Sequence, residues 1–143
     1  MLETAAALKA HAGNEIPVLG VAVATHLASG CALPIVEDLA QTGTMAVSVG
    51  HNESLADLKQ ACGGKLTVLG NLNGIEMRRW TLDEAEAKVK SAIAAAGTGG
   101  GFLLSDLHGE IPWQVPEEVL LAISKACRKW GRYPLDWVGG HES

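Results

Sequence analysis

Aromatic residues are scarce: four Trp, one Tyr and one Phe make up 4% of the 143 residues. That weighs against an aromatic-rich β-sandwich. Seventeen glycines suit tight turns between packed strands and Ala-rich helices, so an α/β class is expected. No uncharged apolar run reaches 18 residues, and the opening LETAAALKAHAG lacks the basic start and unbroken apolar core of a secretory signal. A soluble, cytoplasmic protein with no membrane partner is the expectation. Cys31, Cys62 and Cys127 are too few and too far apart, with no CxxC pair, for a disulfide framework or a zinc ribbon. Cys62 and Cys127 read as core or surface thiols. The chain also has no run of Lys and Arg, and its net charge of −5 opposes binding to a phosphate backbone, which excludes nucleic acid as a partner.

What the chain does have is a regular alternation of helical and β-rich segments. Residues 2–12 read as an Ala-rich helix closed by Gly13-Asn14, and residues 16–24 as a first strand. Pro34 opens a helix to Ala40, where its missing N–H is not needed. Met45–Val49 reads as a strand, Glu53–Ala61 as a helix with Asn52 suited to cap it, and Lys65–Leu69 as a third strand. Thr81 and Glu84 form a capping box ahead of a helix over Leu82–Ala96, with its apolar stripe at Ala85, Val89, Ala92, Ile93 and Ala96. GTGGG turns the chain into Phe102–Leu104, and a last helix runs from Pro116 to about Trp130. A single domain over residues 1–143 is expected. Its strands are parallel, because helical connections join them.

Four βα units make either a small open sheet or half of an eight-stranded barrel. A lone half-barrel leaves two edge strands unpaired and its inner face wet, so it is expected to pair with itself as a homodimer or with a missing half. Right-handed crossovers place every βα loop at one end. His26, His51 and His108 each follow an apolar run, so their imidazoles converge there, suited to a metal or an anionic substrate. Beside His108 stand Asp106 and Glu110, whose carboxylates are positioned by sequence to fix its tautomer. His108, His51 and Glu110 are therefore the candidate catalytic residues. Asn71 and Asn73 directly follow a strand and face the same crevice, with Asn73-Gly74 also suited to plain turn chemistry. With Arg78 as a carboxylate binder and Trp113 as a pocket wall, they are the candidate substrate contacts. The GTGGG loop lies before a strand and lacks a following helix, which makes it a turn and not a phosphate cradle.

Three stretches resemble the uroporphyrinogen decarboxylase superfamily, which holds both decarboxylases and zinc-dependent corrinoid methyltransferases. LTVLGNLNGIEMRRWT is similar to its strand and GN(V)(D/N)P loop, AAAGTGGGFLLS to its helix, glycine turn and strand, and SDLHGEIPWQVPEEVLLAISKACRKWGRYP to its final loop and helix. LPIVEDLAQTGTMAVSVGHN resembles the preceding helix and strand more loosely. The resemblance implies the last four βα units of a (β/α)8 barrel of TIM type. It also implies a methyltransferase-type activity with a corrinoid protein as partner. Zinc would then be held by His26 and Cys31, an altered form of the branch's HxCG motif, with His108 where the branch has a later cysteine. The decarboxylase branch implies instead a metal-free site in which His108, Asn71 and Arg78 hold a polycarboxylate. A third expectation is a non-catalytic, self-associating half-barrel.

Overall fold

The computed structural model describes residues 23–27, 30–106 and 111–139. The expected helix over 2–12, most of the expected first strand, and His108 and Glu110 lie outside the described residues. Within them, four strands alternate with four helices: β1 (Ala24–His26), α1 (Val36–Gln41), β2 (Ala46–Ser48), α2 (Leu55–Cys62), β3 (Thr67–Leu72), α3 (Leu82–Ala96), β4 (Phe102–Asp106) and α4 (Glu117–Trp130). The strands form one sheet in the order β1-β2-β3-β4, and every pair is parallel. This is the α/β architecture of a partial TIM-type barrel.

Helix α3 has the bounds its sequence dictates. The Thr81 hydroxyl accepts from the Glu84 N–H at 3.2 Å, and Glu84 Oε2 accepts from the Thr81 N–H at 2.7 Å, so two of the helix's orphan donors are satisfied. Its Ala85, Val89, Ala92, Ile93 and Ala96 are all buried. At its end Gly97 leaves no space for a side chain: an added Cβ would stand 2.6 Å from the Ile93 carbonyl oxygen. In α4 the stripe of Val119 and Ala126 is buried, and the Trp130 indole N–H donates to Glu86 of α3 at 2.8 Å. Trp137 folds back to donate to the Trp130 carbonyl at 3.0 Å and packs edge-on against its ring.

Several boundaries differ from expectation. The segment from Pro34 begins as a 3-10 turn, Leu33–Ile35, because Ile35 sits at φ −121°, outside helical geometry, and α1 starts only at Val36. Helix α2 starts at Leu55, two residues later than expected. Its cap is Ser54, whose hydroxyl accepts from the Asp57 N–H at 3.3 Å, and not Asn52. The third strand runs on to Leu72 and the fourth to Asp106. Asn71, Ser105 and Asp106 are polar, yet the ladder pairs Asn71 with Ser105 and Leu72 with Asp106. Asn71 thus lies within a strand and not in the loop after it.

Side chains alternate across a strand, so paired residues of parallel neighbours share a face. Val47, Val68 and Leu72 point into the layer beneath the helices. There they meet Leu58 of α2, Val36 and Leu39 of α1, Ala92 and Ala96 of α3, and Val119 of α4, all buried. The opposite face carries Ala24 and His26, Ala46 and Ser48, Leu69 and Leu103, and Leu103 is 53% exposed. Neither core cluster includes Leu69 or Leu103. A parallel sheet with helices on one face is what one segment of a barrel wall looks like. Among the described residues no helix is long and apolar enough to cross a membrane.

Candidate functional site

Because all four strands run the same way, their carboxyl ends open on one edge. His26 ends β1, His51 follows β2 by three residues, Asn73 directly follows β3, and Asp106 ends β4. Side chain to backbone bonds tie these exits together. Glu53 takes hydrogen bonds from three amides: Ala32 at 2.7 Å, Leu33 at 3.1 Å and Gly50 at 3.4 Å, joining the β1–α1 loop to the β2–α2 loop. The Asn71 amide donates to the Gly50 and Glu53 carbonyls at 2.9 and 3.0 Å, fixing the same loop to β3. Asn73 Oδ1 accepts from the Ile75 and Glu76 amides at 3.1 and 3.2 Å, an Asx turn that starts the 3-10 turn Glu76–Arg79.

Two positions explain how closely these loops approach. Gly70 has φ +147°, and a Cβ there would stand 2.8 Å from the Val49 carbonyl oxygen, so β2 and β3 meet where only glycine fits. At Gly74 an added Cβ would lie 3.3 Å from Asp106 Oδ2, which brings the end of β4 against the loop after β3. The rim is therefore built from strand ends and rigid turns.

The rim borders two clefts. One, of about 330 Å³, is bounded by His51, Asn71 and Asn73 together with Trp80 and, on α3, Lys88 and Ser91. The other, of about 300 Å³, is bounded by His51, Asn73, Ile75, Glu76, Arg78 and Arg79. His51, Asn73 and Glu76 line both, so the clefts adjoin. Of the residues singled out from sequence, His51, Asn71, Asn73 and Arg78 are thus gathered on this rim. Asn71 and Asn73 each use one end of their amide to hold the backbone, leaving the other end for a ligand.

The remaining candidates are placed differently. Trp113 is 88% exposed in the segment before α4 and lines neither cleft, so it walls no part of this site. His26 and Cys31 are both exposed, on the last residue of β1 and in the loop after it, and Cys31 is a free thiol. An imidazole and a thiol are both groups that zinc accepts as ligands. Among the described residues no group of three His, Cys, Asp or Glu comes together as a metal site. Cys62 and Cys127 are of another kind: burial raises both thiols above the ordinary value, keeping them protonated and inert.

The groove also enlists residues that sequence reasoning passed over, Trp80, Lys88 and Ser91. Lys88 stands out in the sequence as a charge beside the apolar stripe of α3. Nothing in the sequence alone brings that flank against β3.

Comparison with known proteins agrees with this geometry. The family model described as Uroporphyrinogen decarboxylase (URO-D) matches residues 1–130. No curated protein matches the chain. Among solved structures, a methyltransferase from Methanosarcina mazei aligns with a TM-score of 0.65 at 22% identity, covering 80% of this chain and 33% of that one. This chain thus spans a third of that structure, and the likeness is one of fold. With nearly the whole chain inside the family match, it belongs to the uroporphyrinogen decarboxylase family.

Proposed function

We propose that this chain provides the carboxyl-terminal wall of a methyltransferase-type barrel that acts with a corrinoid protein. Family membership and a fold shared with a methyltransferase support the reading. The observation that carries it is local: an exposed imidazole, His26, and an exposed free thiol, Cys31, stand at the end of β1 on the edge where barrel enzymes do their chemistry. Zinc bound by such donors lowers the pKa of an acceptor thiol. Of the three expected ligands, His26 and Cys31 are among the described residues and His108 lies outside them.

The Glu53 and Asn71 bonds hold the β1–α1 and β2–α2 loops in register, so His51 is presented from a fixed turn. Preorganised loops of this kind keep a reacting group in place at little entropic expense at the moment of reaction. The exposed inner face with Leu103 is to be covered by the rest of a barrel, from a second copy or from another segment.

The direct experiment supplies a methylated corrinoid and a thiol acceptor and follows demethylation by absorbance. Turnover that disappears in Cys31→Ala supports the reading; turnover unaffected by that change contradicts it. A second reading is favoured by one observation, that Arg78 borders a cleft with His51 and Asn73. It is a metal-free, decarboxylase-like site for a polycarboxylate. Release of carbon dioxide that does not require Cys31 would select it.

A further inference from the structure

We propose that the groove between α2 and α3, beneath Trp80, is a binding site for a small amphipathic acid, separate from the inner face of the barrel wall. Its location is the first argument. Leu55 of α2 and Ala92 and Ala95 of α3 line it, and these side chains belong to the layer between helices and sheet. The groove therefore opens on the helical side of the sheet, away from the face of Leu69 and Leu103. Under the corrinoid reading of the inner face, a ligand there sits beside the reaction chamber and not within it.

The second argument is size and lining. At about 330 Å³ the groove falls within the range of small-molecule pockets. Its floor is apolar, from Leu55, Leu72 and Ala92, with the Trp80 indole as a flat wall. Such a surface holds a flat or aliphatic body by burial and ring contact.

The third argument is charge. Lys88 lines the groove, and Arg78 and Arg79 line the adjoining cleft through the shared residues His51 and Asn73. Neither arginine has an ion-pair partner among the described residues, where the ion pairs are Lys65–Glu37 and Lys129–Glu86. On the acidic side, Glu53 is engaged by three backbone amides, and Glu84, one turn before Lys88, is engaged by the Thr81 N–H and hydroxyl. Their charges remain, so along the two clefts Glu53 and Glu76 stand against the three cations Lys88, Arg78 and Arg79. On a chain of net charge −5 this is a local reversal of sign, which draws an anion to the groove. A guanidinium pair recognises a carboxylate or a phosphate by bidentate hydrogen bonds.

The test is an NMR titration of the full chain, following amide and indole shifts, with benzoate, phenyl phosphate, inorganic phosphate and benzyl alcohol. Saturable shifts around Trp80 and Lys88 are expected with benzoate or phenyl phosphate, and whichever binds tighter identifies the acid group. Inorganic phosphate, lacking a body, and benzyl alcohol, lacking charge, should bind much more weakly. The double variant Arg78→Gln/Arg79→Gln should weaken binding roughly tenfold or more, the scale of one lost charged hydrogen bond. Lys65→Gln, a charge change elsewhere on the surface, should leave it unaltered. Dispersed spectra in each variant show that the fold persists. No saturable shift with either aromatic anion, equal affinity in the double variant, or equally tight benzyl alcohol would overturn the proposal.

Discussion

The two faces of the sheet use the same strands for opposite ends. On one, Val47, Val49 and Val68 are fully buried beneath three helices, α1, α2 and α3; on the other, Leu103 is more than half exposed and Leu69 lies outside both core clusters. The buried face is apolar, whereas the open face mixes Leu69 and Leu103 with His26 and Ser48. Chain connection and chemistry agree: helices joined by short connections return to the apolar side of the sheet, and on the proposed reading the mixed side lines a barrel.

That contrast is easiest to break by substitution. Leu58, fully buried under α2, should cost about 2–5 kcal/mol as Leu58→Ala, whereas Leu103→Ala on the open face should stay within about 0.5 kcal/mol in the isolated chain. Chemical denaturation of the two variants checks this. If Leu103→Ala proves as costly as Leu58→Ala, something already covers the inner face. Size-exclusion chromatography of the Leu103 variant would then show whether a second copy is responsible.

Gly70→Ala should come next. Its Cβ meets the Val49 carbonyl at 2.8 Å and the residue holds φ +147°, so a loss of about 1–3 kcal/mol is expected, together with loosening of the loop that carries His51. Thr81→Ala removes the cap of α3, on the helical side, and should cost about 1 kcal/mol. Circular dichroism melts rank these two against Leu58→Ala.

The smallest effect is a pH dependence confined to the helical layer. Hydrogen bonds from Thr81, first its backbone N–H, hold the Glu84 carboxyl below the ordinary glutamate value; for Glu86 the Lys129 ammonium leads, followed by the Trp130 N–H. Carboxyls depressed on folding stabilise the fold above their unfolded pKa, and that contribution fades as pH falls through the lower folded value. Unfolding midpoints should therefore drop below about pH 4.3, the ordinary glutamate value, and Glu86→Gln should flatten part of that decline. A midpoint that rises on acidification would contradict the assignment.

How much of this was legible in the sequence varied with the kind of signal. Helix α3 was readable to the residue because a capping box and an uninterrupted 3.6-residue stripe agree. The ends of β3 and β4 were not, since polar residues at Asn71 and Asp106 stop the hydrophobic run while the ladder continues. The cap of α2 was misplaced because Asn52 and Ser54 are both good caps, and the structure uses Ser54. The gathering of His51, Asn73 and Arg78 was foreseeable from parallel strands sharing one edge. The groove beneath Trp80 was not, because it arises where two helices flank a strand end, a relation no local pattern records. Trp113 misled for the opposite reason: its apolar bulk suggests a pocket wall, yet it faces solvent in the segment before α4.

The central claim is that the carboxyl edge of β1 presents a metal-binding imidazole and thiol. Metal analysis of the purified full chain tests it most directly, alongside His26→Ala, Cys31→Ala and a Cys127→Ser control. The account predicts one zinc per barrel in the parent and the control, and none in the other two. Zinc absent from the parent, or retained when Cys31 is removed, would contradict it.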